Sequence, residues 1–411
     1  MLQHFPAPYR WWGTSRFTVN RALDMDRVKA AFATLAARHD ALRTVYAQNV
    51  DGSWRRRVIA PSEAGSLDLR IIDVQATPGD EREDMIAETM HNCCMAYAID
   101  RLPLDTAVIL QEGPARYTFC LANHHVNGDF VSGTILFKDF WDLYEGKELA
   151  PPAQQQGDIA KLLEGTDLSA DQAYWQKLAG RETTPPALVT DRGIANLERQ
   201  EVATERYLTA SETKRLSTTG RANSGTALYP LLAAAFYMAL TEQSGRRDAI
   251  ISHRMMGRVL GSNLPDFTDT VGNFAVHFPL VVKTGETLPH TAKSVASALA
   301  EVPHGGVTYD WLAAQAHGAP SFPYPDEQVT ALRLNYLGQI LPRTDGDFEF
   351  NASQLNQRFA PDDLPRSAEV EVHLSVEKSC LKIRASFVEG RHNGALINEL
   401  LDRVKVILTE L

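Results

Sequence analysis

The stretch ANHHVNGDF, Ala122 to Phe130, decides how this chain of 411 residues is read. It sets two adjacent histidines, His124 and His125, after an apolar run and follows them with Asp129. Upstream, Tyr117-Thr-Phe-Cys-Leu121 is short, apolar and aromatic, which predicts a buried strand. Downstream, Ile135, Leu136, Phe140 and Leu143 recur at helical spacing, which predicts a helix from Val131 to Tyr144 that ends near Gly146. The histidines are therefore expected on a strand-to-helix connection, where side chains reach a cleft without interrupting a ladder.

The residue pattern admits three uses for them. A histidine near a strand end is commonly a hydrogen-bonded structural residue. Two neighbours on extended backbone point to opposite faces, so at most one is expected to face a given ligand. A metal site needs a further ligand in geometry, which Asp129 supplies only if the loop folds tightly; no metal is expected. An acid–base role draws on the imidazole's unperturbed pKa of about 6.5, which lets it take and release a proton near neutrality. Asp129 can orient such a ring or join an ion pair that shapes the loop. No GxSxG elbow is present, and Ser132 reads as an ordinary helix residue. Without a protein nucleophile, the simplest chemistry is direct attack of an amine or hydroxyl on an activated acyl group. General-base help contributes about 10²–10⁴-fold to such a step. Alignment of two bound substrates contributes more, with effective molarities of roughly 10⁵ M or above.

Composition narrows the class. Apolar content of 44% and charged content of 22% are those of a soluble globular protein. The net charge of −10 and the absence of a basic run argue against a nucleic-acid partner. No apolar run approaches the ~20 residues that span a bilayer, so no membrane association is expected, and Leu228 to Leu240 reads as a core helix. The opening MLQHFPAPYRWW lacks a signal-peptide pattern. Cys93, Cys94, Cys120 and Cys380 show no CxxC spacing, and the adjacent pair reads as packing; a reducing cytoplasm is expected, with neither zinc nor a disulfide framework.

The length predicts two domains, at roughly 100–200 residues each. A helix is predicted over Met25–Val45, with Val28, Ala31, Phe32, Leu35 and Leu42 on one stripe and RHDALRT, Arg38–Thr44, near its end. Strands follow at Trp54–Ile59 and Leu67–Ile72, a helix at Glu81–Tyr97, and strands around Thr106–Gln111 and Arg116–Leu121. Gly146 to Gly157 is rich in proline, glycine and glutamine and reads as a linker. Beyond it, helices are predicted at Asp171–Leu178, Ser211–Thr219, Leu228–Gln243, Thr291–Glu301 and Leu396–Leu411. Strands are predicted at Ala249–Ser252, Ala275–Val282, Ala331–Leu337, Val370–Val376 and Leu381–Phe387. The interleaving gives an α/β protein of two lobes, residues 1–160 with the histidine loop and residues 161–411.

Several stretches in this order resemble one family, the condensation domains of nonribosomal peptide synthetases, within the chloramphenicol-acetyltransferase-like superfamily of CoA-dependent acyltransferases. His124, His125 and Asp129 match HHxxxD, and RHDALRT is similar to RHExLRT. SGTILFKDFWDLYEG resembles the helix after the family's histidine loop, and AYWQKLAG with ALVTDR resembles the opening of its second lobe. MMGR, ending at Arg258, and TVGNFAVHFPL, Thr270 to Leu280, look like its glycine-arginine and GxFxNxxPL motifs.

The resemblance implies two acetyltransferase-like lobes in a V-shaped pseudo-dimer, with the histidine loop on the floor of a tunnel between them. It makes His125 the key catalytic residue, as general base or hydrogen-bond anchor, and His124 its more structural neighbour. It pairs Asp129 with Arg258, and lines the tunnel with Asn127, Gly128, Phe130, Asn273, His277 and Tyr336. The chain itself is expected to bind no cofactor. The donor would be the phosphopantetheine arm of an acyl or peptidyl carrier protein acting in trans. The acceptor would be a small amine, a hydroxyl or a second carrier protein, and the enzyme a free-standing monomer.

Three departures accompany the resemblance. Phe130 stands where the family has glycine, with Gly128 before the aspartate instead. HFPL, His277 to Leu280, replaces the asparagine-containing version, and the family's first motif is missing near Met1, as in a shortened chain. LNYLGQI, Leu334 to Ile340, and PHGGVTYDWL resemble epimerisation domains, a sister class. SHRMMGR, Ser252 to Arg258, lacks the glutamate those enzymes need as a second base. A catalytically silent domain that docks carrier proteins and recruits another enzyme is the reading from a different class.

Overall fold

The computed structural model describes residues 12–64, 67–179, 181, 186–261, 264–315, 331–340, 347–351 and 364–410. The stretch 1–11, where the family's first motif would fall, lies outside them, as does Gly180. The chain folds into two compact units, the first from described residues in 12–165, 265–274, 347–351 and 364, the second from the rest.

The first unit is built on a five-stranded sheet. Its strands are β1 (Trp12–Val19), β4 (Asp68–Asp73), β5 (Asp105–Gly113), β6 (Arg116–His124) and β11 (Phe348–Asn351), in the spatial order β11-β1-β6-β5-β4. A two-stranded ribbon, β2 (Thr44–Gln48) and β3 (Trp54–Val58), stands beside it. The helices are α1 (Met25–Arg38), α2 (Pro61–Ala64), α3 (Gly79–Met95), α4 (Phe130–Tyr144) and α5 (Asp158–Glu164). Side chains alternate across a strand. Phe17, Val19, Ala107, Ile109, Tyr117 and Phe119 therefore pack on Phe32 and Leu35 of α1 and Phe140 and Trp141 of α4. Trp12, Val108, Leu110, Cys120 and Ala122 pack on Ile86, Met90 and Cys94 of α3. Both faces are covered, which is why β5 and β6 read as continuous apolar runs.

One helix is shorter than the sequence predicts. The helix expected over Met25–Val45 ends at Arg38; Asp40–Arg43 is a 3₁₀ turn and Thr44 opens β2. The RHDALRT side chains terminate it. Arg43, nearly buried, donates from Nε to Ala36 O (2.8 Å) and from Nη2 to Ala37 O (3.3 Å), satisfying carbonyls the helix leaves without amides. Arg38 Nε and His39 Nε2 both meet Asp139 Oδ2 on α4, at 2.9 and 3.0 Å.

The second unit has a six-stranded sheet. Its strands are β7 (Glu201–Tyr207), β8 (Asp248–Met256), β9 (Ala275–Lys283), β10 (Leu332–Ile340), β12 (Val370–Glu377) and β13 (Cys380–Val388), in the spatial order β7-β13-β12-β10-β8-β9. Its helices are α6 (Ser169–Ala179), α7 (Ala210–Arg215), α8 (Arg221–Ser224), α9 (Leu228–Ser244), α10 (Leu288–Ala300), α11 (Val307–Gln315) and α12 (Gly394–Thr409). The predicted helix 211–219 is α7 running through a π turn, Leu216–Gly220, into α8. α9 is apolar around its circumference and buried along most of its length, packed by α10 and α12. Among the described residues no single helix is long and apolar enough to cross a membrane.

Candidate functional site

The site grows from the end of β6. Alternation sends Phe119 to the α1/α4 face and Cys120, Ala122 and His124 to the other face. The strand runs further than predicted, because His124 N–H donates to Leu104 O (2.8 Å) and His124 pairs with Trp12. His124 is 0% exposed, its ring tilted against Tyr97 at 6.5 Å, and its Nδ1 accepts from Val126 N–H (3.2 Å). It is part of the core.

His125 is the first residue past the strand, and its ring is partly exposed. Its Nδ1 lies 3.0 Å from Gly128 O, a group that only accepts, so Nδ1 carries the proton and donates. In the neutral ring the lone pair is then on Nε2. Gly13 of β1 makes room for this ring: a Cβ there would sit 3.1 Å from both Cε1 and Nε2. Asn127, buried, donates from Nδ2 to Thr44 O (2.9 Å), tying the loop to the end of RHDALRT.

Asp129 is the N-cap of α4. Its Oδ1 accepts from Ser132 N–H and from the Ser132 hydroxyl, both at 2.9 Å. Its Oδ2 accepts from Phe274 N–H (3.0 Å). Phe274 belongs to a strap of the same unit, Pro265–Phe274, that fastens the loop. Ser132 Oγ lies 2.7 Å from Gly272 O and accepts from Gly272 N–H (3.0 Å), while Asn273 Nδ2 donates to His125 O (2.6 Å). Ser132, read from sequence as an ordinary helix residue, is instead the joint between cap and strap. Its spacing, three residues after a capping aspartate, was the available signal; Gly13 had none. Phe130, in the family's glycine position, opens α4 and is 51% exposed.

The remaining expected site residues belong to the second unit. Arg258 is 2% exposed. His277 on β9 accepts at Nε2 from Arg254 Nε (2.7 Å). Burial, then the charges of Arg333 and Arg254, hold its pKa well below the usual histidine range. Tyr336 on β10 stacks on Tyr229 with centroids 5.7 Å apart, and burial raises its pKa. His253 of SHRMMGR is pushed to about 3 by burial and sits between the hydroxyls of Tyr229 and Tyr237, a neutral core residue. Arg254 of the same stretch lies 2.9 Å from Glu371 on β12. Burial alone would raise Glu371, but Arg254, His373, Arg333 and Arg366 bring it to about 2.

The family model described as Condensation domain matches residues 1–411. The chain is 26% identical to a linear gramicidin synthase polypeptide of Brevibacillus parabrevis over 348 residues, 81% of this chain and 6% of that protein. It is 27% identical to surfactin synthase subunit 2 of Bacillus subtilis over 240 residues, 57% of this chain and 6% of that protein. The chain thus spans 6% of the length of these curated relatives. Among solved structures, the epimerization domain from the third module of tyrocidine synthetase B superposes with a TM-score of 0.86 at 22% identity, covering 100% of this chain and 94% of that one. The first condensation domain of the calcium-dependent antibiotic synthetase gives 0.71 at 19% identity, covering 99% and 92%. The X-domain from teicoplanin biosynthesis gives 0.74 at 16%, covering 98% and 91%. These likenesses carry the α/β, two-lobed chloramphenicol-acetyltransferase-like fold. The chain belongs to the Condensation domain family.

Proposed function

We propose that this domain forms an amide, moving an acyl or aminoacyl group from a carrier-protein phosphopantetheine thioester to an amine. The carrying observation is the bond from His125 Nδ1 to Gly128 O, which presents Nε2 as the acceptor nitrogen. The amine nitrogen attacks the thioester carbonyl carbon, and Nε2 holds or takes one N–H proton. The C–S bond then breaks, and that proton ends on the departing phosphopantetheine sulfur. Asp129, with both oxygens engaged by α4 and the strap, keeps the loop's shape.

An ester-forming variant needs only a hydroxyl acceptor in place of the amine. Epimerisation needs a base on each face of a Cα, and SHRMMGR, Ser252 to Arg258, supplies no glutamate beside its glycine-arginine pair. A silent docking domain would have no use for a fixed imidazole tautomer.

Intact mass spectrometry of acyl-loaded carrier proteins with a panel of amines tests the reading. Loss of the acyl mass with a particular amine is the expected result, reduced at least about 10²-fold in a folded His125→Ala variant. Unchanged turnover in that variant overturns the catalytic role. Carrier binding without turnover in the wild type favours docking.

A further inference from the structure

Within the first unit, a cavity of about 90 Å³ opens on the α1/α4 side of the sheet beside the histidine loop. Its depth is apolar, walled by Phe17, Phe32, Phe119 and Phe140. Its other end is polar, where Asp105, Asn123 and Gly128 line it. Strand register explains the gradient. Gly13, Asn123 and Asp105 are cross-strand partners in one row over β1, β6 and β5, and the phenylalanines Phe17 and Phe119 pair further along the same strands.

That row leads to His125. The ring that a Cβ on Gly13 would touch at 3.1 Å is the His125 imidazole, and the same Cβ would lie 3.5 Å from Asn123 Oδ1. Asp105 stands two strand spacings from Gly13, about 10 Å between backbones. Asp105 is 7% exposed, and its Oδ2 is buried with no hydrogen-bond partner among the described residues. A carboxylate left so is costly unless a ligand completes it.

We propose that this pocket selects the donor, taking an aminoacyl group with a free amine and an apolar side chain. The thioester carbon lies toward His125, the ammonium meets Asp105 Oδ2, and the side chain fills the phenylalanine-lined depth. The amine on Asp105 is a spectator, because an ammonium held by a carboxylate has no lone pair with which to attack; this assigns the group to the donor. Burial alone lifts the Asp105 carboxyl to about 8, a carboxyl that a neighbouring cation would return to its charged form. The inference rests on the condensation reading for its donor and adds the donor's chemistry.

The test is calorimetric binding of non-reactive pantetheine amides, which needs no turnover. Leucyl-pantetheine amide is compared with its 4-methylpentanoyl and N-acetyl-leucyl counterparts, on the wild type and on Asp105→Asn. The expected result is at least tenfold tighter binding of the leucyl form to the wild type. Asp105→Asn should lose that preference while keeping its affinity for the 4-methylpentanoyl form. Equal or weaker binding of the leucyl form, a preference that survives Asp105→Asn, or no binding of any analogue overturns the proposal. Turnover of an N-acylated donor alongside such a result would sink the donor assignment and leave amide formation standing.

Discussion

The imidazole of His125 rests over the bare α-carbon of Gly13, so close that a methyl group there would lie 3.1 Å from Nε2. β1 thus sets how far the ring of a loop on β6 can swing. Gly13→Ala should force the ring away by a few tenths of an ångström, and Gly13→Val further. Misplacement near 1 Å costs on the order of 10²-fold. The expected outcome is a fall in kcat of about tenfold for alanine and 10²-fold or more for valine, with carrier-protein affinity unchanged. Single-turnover acyl transfer measures it.

Ser132 joins the N-cap of α4 to the strap at Gly272. Ser132→Ala removes one cap partner and leaves Gly272 N–H without its acceptor. The expected loss is about 1–3 kcal/mol of unfolding free energy, read by urea denaturation. Ser132→Asp replaces the hydroxyl with a charge beside Asp129 and should lose more.

Asp105 gives a dependence on pH whose sign is opposite to that of a paired carboxylate. Its folded pKa, pushed up by burial to about 8, lies above the unfolded value of about 3.9. The folded state therefore keeps a proton the unfolded state loses, and stability falls as pH rises from about 4 to about 8. Asp105→Asn removes that dependence. The variant should match the wild type near pH 4 and exceed it by a few kcal/mol near pH 8. Chemical denaturation at the two values checks it, and a constant difference across pH would count against the buried carboxyl.

The α/β class and most central elements were legible because buried strands read as apolar runs and amphipathic helices carry a period. Strands β5, β6, β8, β9, β12 and β13 stand where apolar runs placed them, within a few residues. Two of the strands that sequence did not show lack such a pattern. β7, Glu201-Val-Ala-Thr-Glu-Arg-Tyr207, is an edge strand with no buried side chain, and β11 has four residues. The histidine loop was legible as a motif, but its supports were not. Asn273, Gly272 and Phe274 come from 140 or more positions away in sequence, and no local pattern announces that they close on His125, Ser132 and Asp129.

RHDALRT was expected to continue a helix, and the reason it stops one can be tested at Arg43. Its guanidinium turns back to the carbonyls of Ala36 and Ala37, reaches Ile59 O in the chain after β3, and meets the Asp40 carboxylate at 2.5 Å. Lysine has one nitrogen where this arrangement uses three, so Arg43→Lys should not substitute. Each carbonyl left buried without a donor costs roughly 1–3 kcal/mol. Arg43→Ala and Arg43→Lys should both lose about 2–4 kcal/mol on that basis. Because Asn127 hangs from Thr44 O, the loss should reach the histidine loop. Amide hydrogen exchange is expected to quicken at Thr44 and Asn127 in both variants while α12 stays protected. Unchanged exchange at Asn127 would mean that the loop does not depend on this turn.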